Sequence, residues 1–221
     1  FEQHFSQRLR LAEYEEALQA ARRAHLELLY ACRCSRTELA RHAQPGGLYA
    51  GTCRPLQLPF DAPETAWRVH VPAPTPVAFA DVAQGLVQLD LAAEMGDFVV
   101  RKKDGAAAYQ VASVLDDVRL GVTFVVRGLD LLASTAAQWW LTQWLPGTET
   151  FRHVQFLHHG LVLDAHGQKL SKSTQTGQQR GILAEAGSPQ VVYEAVARLL
   201  GLPAAAGESL ETLRDHVART L

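Results

Sequence analysis

The hydrophobic pattern begins with a stripe of apolar positions at helical spacing. Tyr14, Leu18 and Ala21 recur at every third or fourth residue, and charged or polar side chains lie between them. This period puts the apolar side chains on one face and predicts an amphipathic helix packed against another element. The whole stripe comprises Leu11, Tyr14, Leu18, Ala21, His25 and Leu28.

A second pattern, strict alternation, occupies the middle of the chain. Residues 67–71 and residues 87–91 alternate between apolar and polar side chains. Alternation of this kind predicts two strands, each buried on one face only. The prolines between them, Pro72, Pro74 and Pro76, indicate a connecting loop.

Apolar segments and turn residues continue this strand-rich region. Phe98–Arg101 leads into Asp104-Gly105, a hairpin signal, and residues 108–113 are expected to return beside it. Residues 122–126 predict a buried strand that ends at Arg127. In open α/β sheets, ligands collect beyond the carboxyl ends of the strands, so Arg127 becomes a candidate binding residue.

Two helical patterns follow near the carboxyl end. In the first, Ser188 is expected to cap the helix, Pro189 to occupy its first position and Gly201 to stop it. The second, residues 210–221, places leucine and valine at helical spacing. A glycine- and glutamine-rich loop precedes them.

Composition and charge limit the function classes. With 221 residues, 48% hydrophobic and 20% charged, the chain can bury the core of one or two domains. No apolar run approaches the roughly 20 residues of a membrane span, and residues 1–4 do not resemble a signal peptide, so a cytoplasmic protein is expected. The net charge of -2 excludes a broad basic surface and leaves local patches for any RNA contact.

The three cysteines of the chain, Cys32, Cys34 and Cys53, lie within one short segment. An odd count argues against a disulfide framework, and the clustering favours a metal site, with zinc as the natural candidate. His42 and Tyr49 are both available as a fourth ligand, and spacing favours neither. The alternative is three small buried thiols without a metal.

Arg127 and Tyr109 suggest a site for a carboxylate. The fork of an arginine can hold a carboxylate through two parallel hydrogen bonds, and the tyrosine hydroxyl could donate to the same group. Alternatively, Arg127 pairs with Asp116, Asp117 or Asp130 to fix its own loop. Tyr109, in that alternative, is only a packing residue.

A basic pentapeptide, residues 169–173, is a third candidate. Lys169 and Lys172 bring two positive charges into one short segment, and such clusters often lie in solvated loops. His158 and His159, upstream of it, could line a ligand pocket or form a partly exposed strand end.

Several of these motifs occur in one order that resembles a known family. The segments Gly96–Gly105, Ala108–Asp117 and Val126–Thr135 resemble the glutamyl and glutaminyl class I aminoacyl-tRNA synthetases. Lys169-Leu170-Ser171-Lys172-Ser173 resembles their KMSKS loop, with leucine in place of methionine. Within the family the chain is most similar to the shortened branch that attaches glutamate to the queuosine base of aspartate tRNA.

The resemblance implies a role for each matching residue. Tyr109 and Arg127 would bind glutamate, and Ser113 would lie near it. Lys172, with Lys169, would contact ATP. The rest of the loop, Leu170, Ser171 and Ser173, would complete that ATP site. The zinc ligands would be Cys32, Cys34, Tyr49 and Cys53, which selects Tyr49 over His42.

The implied fold is α/β: the later part of a Rossmann-type class I catalytic domain, with a zinc-binding insertion and carboxyl-terminal helices. Within this one domain, a helix would close the first Rossmann half, and the insertion, the second half and the KLSKS loop with its helices would follow. The corresponding ranges are 1–31, 32–97, 98–165 and 166–221. The family's HIGH motif and first phosphate-binding loop are absent from this sequence. We therefore expect a fragment that does not activate glutamate by itself.

The implied reaction is activation of L-glutamate by magnesium-bound ATP, followed by transfer to queuosine-containing tRNA(Asp). No side chain need act as a covalent nucleophile. The expected partners are tRNA, L-glutamate and ATP, with no membrane, and a monomer is expected. Two alternatives stay open: a fragment of an ordinary glutamyl-tRNA synthetase, and an inactive, zinc-organised RNA-binding module.

Overall fold

The computed structural model describes residues 6–161 and 188–220, which fall into two units, Phe1–His159 and Gly160–Leu221. The helices of the first unit are α1 (Leu11–Ala24), α2 (Arg36–Arg41), α3 (Leu91–Glu94), α4 (Tyr109–Arg119) and α5 (Leu132–Leu141). Its strands are β1 (Leu29–Cys32), β2 (Ala66–Val69), β3 (Pro76–Asp81), β4 (Gly85–Asp90), β5 (Phe98–Arg101), β6 (Phe124–Gly128) and β7 (Gln155–His159). The second unit contains α6 (Gln190–Leu199) and α7 (Leu210–Thr220).

The strands of the first unit form two sheets. The smaller is antiparallel, in the order β1-β2-β5. The larger has the order β4-β3-β7-β6, with an antiparallel β3–β4 pair and parallel β3–β7 and β7–β6 pairs. Parallel pairing of β6 and β7 puts Arg127 opposite His158 in register. The α/β class expected from the sequence is confirmed.

Helix α5 packs against both the larger sheet and α4, and its buried side chains form part of the apolar core. It contacts β3 and α4, and its Ala136, Ala137 and Leu141 are fully buried. The small alanines let the helix approach the strand closely, while Trp140 and Trp144, stacked edge to face at 5.8 Å, fill the space beyond. These two indoles are therefore core side chains.

The first helix is confirmed, but it ends earlier than its apolar stripe. Tyr14, Leu18 and Ala21 are buried, and the helix stops at Ala24. Asp116 of α4 anchors it, because the Tyr14 hydroxyl donates to this carboxylate at 2.6 Å and Arg10 pairs with it at 2.9 Å. Burial, reinforced by the adjacent Asp116 carboxylate, raises the pKa of Tyr14 to about 12.

The segment after the hairpin turn is a helix, so the expected returning strand over 108–113 is wrong. The turn itself forms, and the amide of Lys102 donates to the carbonyl of Ala106 at 2.8 Å. The chain then enters α4 at Tyr109. Val111 and Val114 are fully buried three positions apart, so the period that matches the core is helical rather than alternating.

Strand β2 is buried on both faces, although its sequence predicted one exposed face. The pattern fails at Arg68, which is buried. Its guanidinium carbon lies 3.9 Å from the ring centroid of Tyr49, and its Nη1 donates to the carbonyl of Asp97 at 3.0 Å. The segment that carries Tyr49 therefore covers the face that the alternation assigned to solvent.

Two further expectations about strands are wrong. Pro76 begins β3 instead of lying in a loop, and Val77 and Phe79 of that strand enter the core. Strand β6 is not buried: it lies at the edge of its sheet, where Phe124 is 44% and Val126 59% exposed. An apolar run alone does not reveal whether a neighbouring element covers it.

The second unit has a small core of its own. Helices α6 and α7 pack with a 3₁₀ helix, Ala204–Gly207, around Ala197, Ala206 and Leu213. The Ser188 hydroxyl accepts a hydrogen bond from the backbone amide of Gln190 at the start of α6. Gly201 follows the helix with a φ of 67°. Both predicted helices are therefore present. None of the helices in the described part of the chain is long and apolar enough to cross a membrane.

Candidate active site and metal centre

Arg127 is buried at the carboxyl end of β6, with 8% of its surface exposed. Its Nη1 donates to Oε1 of Gln138 at 2.6 Å and to Oγ1 of Thr135 at 3.1 Å. Both acceptors belong to α5, where a spacing of three residues puts them on one face. The arginine is therefore fixed by two uncharged side chains.

The carboxylates proposed as alternative partners of Arg127 do not form an ion pair with it among the described residues. Asp116 binds Tyr14 and Arg10 instead. Asp117 is close enough for Arg127 to act on it electrostatically, but burial is the larger influence and raises its pKa. A buried guanidinium with neutral partners suits an incoming carboxylate.

Ser113 and Tyr109 lie on α4, one helical turn apart. The Ser113 hydroxyl donates to the carbonyl of Tyr109 at 2.9 Å and accepts from Nε2 of Gln138 at 2.5 Å. Gln138 therefore joins Ser113 to Arg127. Tyr109 is the first residue of the helix, and 49% of its surface is exposed. Its ring is thus accessible from solvent at the edge of this network.

A buried histidine and aspartate complete the network, and sequence reasoning missed the pair. Nδ1 of His158 lies 2.6 Å from Oδ2 of Asp81, and its Nε2 lies 2.9 Å from Oγ1 of Thr135. Neither the His158 nor the Asp81 side chain is exposed, so the expected partly exposed strand end is wrong for His158. Asp81 precedes His158 by 77 positions, and no local signal links them.

Asp81 is held as a carboxylate. Burial alone would raise its pKa, but hydrogen bonds from His158 and from the amides of Ala83 and Gln84 outweigh burial and lower it. A carboxylate only accepts hydrogen bonds, so Nδ1 of His158 carries a proton. The imidazole is thereby oriented with its other nitrogen toward Thr135.

The three cysteines meet around the hydroxyl of Tyr49. Their sulfur atoms lie within 4.8 Å of one another. The Tyr49 oxygen lies 3.4 Å from Sγ of Cys32 and 3.5 Å from Sγ of Cys34, and it accepts the amide of Cys53 at 2.9 Å. Three sulfurs and one oxygen at such distances form a donor set of the kind that zinc binds.

His42 does not join this group. It follows the last residue of α2, and in the described part of the chain the metal-ligand cluster consists of the three cysteines. Burial raises the pKa of the Cys34 thiol to about 11. A metal entering this site would therefore have to displace thiol protons, as it does in thiolate sites generally.

The pentapeptide Lys169–Ser173 lies outside the described residues. The structure therefore places neither Lys169 nor Lys172, and their assignment to ATP stays a prediction.

Comparison with known proteins identifies the family. Residues 57–220 match the family described as tRNA synthetases class I (E and Q), catalytic domain. A glutamyl-Q tRNA(Asp) synthetase of Burkholderia mallei is 44% identical over 206 residues, which cover 89% of this chain and 64% of that relative. One of Acinetobacter baylyi is 42% identical over 75% of this chain and 52% of that relative. The chain thus spans between about half and two thirds of these relatives.

Solved structures agree on the fold. A glutamate tRNA ligase from Elizabethkingia meningosepticum superimposes with a TM-score of 0.59 at 22% identity, covering 77% of this chain and 37% of that one. A glutamate-tRNA synthetase from Elizabethkingia anophelis gives a TM-score of 0.58 at 23% identity. The order of motifs, the parallel strands and the family match together show that the chain belongs to the catalytic domain of the class I tRNA synthetases for glutamate and glutamine.

Proposed function

We propose that the full-length protein activates glutamate with ATP and transfers it to the queuosine base of aspartate tRNA. The main observation is the environment of Arg127, a buried guanidinium whose described partners are neutral. Such a group favours a ligand that brings its own negative charge, as the side chain of glutamate does. The names of the relatives, all at 40–44% identity, support the choice of tRNA.

Different residues would bind the two small substrates, glutamate and ATP. Arg127 would bind the side-chain carboxylate of glutamate, and the hydroxyl of the half-exposed Tyr109 would donate a second hydrogen bond to it. Ser113 lies behind them and fixes the amide of Gln138. Lys172 and Lys169, with Leu170, Ser171 and Ser173, would hold the phosphates of ATP, which enters with Mg²⁺ as a substrate.

The proposed reaction has two steps. An oxygen of the α-carboxylate of glutamate attacks the α-phosphorus of ATP, the bond to the β-phosphate breaks, and pyrophosphate leaves. The lysines stabilise the charge that develops on the phosphates. A hydroxyl of the queuosine cyclopentenediol then attacks the carbonyl of the adenylate, an ester forms, and AMP and the hydroxyl proton are released. Catalysis is mainly positioning and electrostatics.

Cys32, Cys34, Tyr49 and Cys53 are proposed to hold a structural zinc ion. Cys32 ends β1 and Cys34 follows it, whereas Tyr49 and Cys53 come from the segment between α2 and β2. A bound zinc would close this segment by coordination, as structural sites with four protein ligands do. The ring of Tyr49 already covers Arg68 on β2.

A charging assay tests the proposed function. Full-length protein, labelled glutamate and ATP are incubated with aspartate tRNA that contains queuosine, with the same tRNA lacking queuosine, and with glutamate tRNA. We expect label only on the first. Label only on glutamate tRNA would identify an ordinary glutamyl-tRNA synthetase. Absence of both charging and glutamate-dependent exchange of pyrophosphate into ATP would favour an inactive RNA-binding module.

A further inference from the structure

The guanidinium of Arg127 uses one nitrogen for anchoring and keeps one edge open. Nη1 carries two hydrogens, and both are donated, to Gln138 at 2.6 Å and to Thr135 at 3.1 Å. Nη2 and Nε form no hydrogen bond with the described part of the chain. These two nitrogens present the parallel N–H pair that a carboxylate accepts.

Gln138 cannot turn its amide group around. Its Oε1 faces the donating Nη1 of Arg127, and its Nε2 faces the hydroxyl of Ser113 at 2.5 Å. The hydrogen of that hydroxyl is committed to the carbonyl of Tyr109. Reversal would bring an N–H group against the arginine, and Gln138 has no access to water that could compensate, because it is fully buried.

Thr135 is fixed in the same way. Its hydroxyl accepts from Arg127 and lies 2.9 Å from Nε2 of His158, whose other nitrogen is held by Asp81. Thr135 and His158 are both fully buried. The carboxylate of Asp81 is separated from Arg127 by two side chains along this chain of hydrogen bonds. Arg127 is thus tightly placed without direct contact with a described anion.

We infer that Gln138 is a specificity-determining positioning residue: its neutral amide anchors Arg127 without cancelling the positive charge that selects a carboxylate side chain over an amide. The inference rests on the proposed function. A glutamate at position 138 would bind Arg127 more strongly, because a hydrogen bond between two charged groups is shorter and stronger. It would also remove the electrostatic reason to prefer glutamate over glutamine, which has nearly the same shape.

Two substitutions at position 138 distinguish the effect of a negative charge there from the effect of losing the anchor of Arg127. In full-length protein, Gln138→Glu supplies an anion to Arg127, whereas Gln138→Met keeps a side chain of similar length and supplies no charge. The readout is the ratio of kcat/KM for glutamate to that for glutamine, measured by ATP–pyrophosphate exchange. We expect Gln138→Glu to lower this ratio by about tenfold or more. Gln138→Met should leave the ratio within about threefold of wild type but raise the KM for glutamate, because Arg127 keeps its charge and loses its anchor. Gln143→Glu is the matched control, since Gln143 is exposed just after α5.

The outcomes distinguish the inference from the function on which it rests. A wild-type protein that does not prefer glutamate would refute the proposed function. A wild-type preference that survives in folded Gln138→Glu, or that collapses equally in Gln138→Met, would refute the role of Gln138. Thermal unfolding of each variant is measured in parallel, and if Gln138→Glu does not fold, the ratio in Gln138→Met decides.

Discussion

Single side chains around Arg127 owe their chemistry to what surrounds them. The guanidinium is buried at the end of β6, and Gln138 and Thr135 hold it through uncharged oxygens. Asp81, by contrast, receives hydrogen bonds from His158 and backbone amides and is kept ionised. A cation and an anion are therefore both buried in one network, with neutral groups between them.

The first prediction concerns the fork of Arg127. Arg127→Lys keeps the positive charge but loses the planar pair of donors, so KM for glutamate should rise by about tenfold or more while kcat changes less. Steady-state pyrophosphate exchange in full-length protein measures both constants. Arg119→Lys, at an exposed arginine paired with Glu13, is the control and should leave KM unchanged. An unchanged KM in folded Arg127→Lys would show that Arg127 does not bind glutamate.

The second prediction concerns Asp81 and pH. Because the folded protein lowers the pKa of Asp81, its stabilisation is fully present above the usual value of 3.8 and is lost as pH falls through the lower folded pKa. Asp81→Asn should therefore destabilise the protein by about 3 kcal/mol at neutral pH, since it removes a buried carboxylate that accepts hydrogen bonds from His158 and from two backbone amides. Urea unfolding at pH 7 and near pH 3 should show that the difference narrows at the lower pH.

The exposed Asp61 supplies the control for this measurement. Asp61→Asn should change the free energy of unfolding by less than about 0.5 kcal/mol at either pH. A difference between wild type and Asp81→Asn that does not depend on pH would show that the charge of Asp81 is not what stabilises the fold.

At the scale of elements, β2 and the cysteine segment depend on each other. Arg68 stays buried because Tyr49 covers its guanidinium, and Tyr49 is in turn held by Cys32, Cys34 and Cys53. A metal among these donors would stiffen the segment that shields the strand. Loss of the metal should therefore destabilise β2 as well as the segment that carries Tyr49.

The third prediction is that the purified protein carries about one zinc ion per chain. Cys53→Ser should lower the zinc content well below one and reduce the thermal stability, because one donor of the cluster is lost. His42→Ala is the matched control and should retain the metal. Elemental analysis and thermal unfolding before and after chelation measure these effects. Loss of zinc in His42→Ala with retention in Tyr49→Phe would reverse the assignment of the fourth ligand.

The fourth prediction concerns the packing of the second unit. A Cβ atom added at Gly207 would lie 2.6 Å from Cα of Glu194, so backbone must move, whereas one at Gly160 would meet only Cδ1 of Leu199 at 3.8 Å. Gly207→Ala should therefore destabilise the unit by about 1–3 kcal/mol, and Gly160→Ala should not. Hydrogen exchange of the amides in α6 and α7 reports the change locally, and equal exchange in both variants would contradict it.

On the scale of the whole molecule, the chain matches only part of the length of its relatives. The chain covers 64% of a relative that is 44% identical, and the HIGH motif of the family does not occur in its sequence. Within these residues, the proposed ATP site therefore rests on the predicted role of Lys169 and Lys172.

The fifth prediction is that the 221-residue chain by itself shows no glutamate-dependent exchange of pyrophosphate into ATP. The full-length gene product is the positive control, and circular dichroism with cooperative unfolding establishes that the shorter chain is folded. Exchange by the shorter chain at a rate comparable to the full-length product would show that these residues hold a complete site.

Local physics explains which features could be predicted. The helical period of Tyr14, Leu18 and Ala21 and the cysteine spacing are short-range signals, and both correspond to observed features. Residues 108–113 were ambiguous, because a short apolar run fits either period until the core selects one. Hydrophobicity likewise failed for β6, whose position at the sheet edge depends on its neighbours.

The sequence by itself determined the family and the α/β class, and it supplied the candidate residues for a carboxylate site and a metal site. Only the tertiary structure decided how they are held. Tyr49 meets the cysteines through a loop, and His158 meets Asp81 across 77 positions of sequence. Gln138 meets Arg127 only because the chain turns back between the end of β6 and α5. Such contacts depend on which strands pair and which helix covers them, and those choices minimise the free energy of the whole chain.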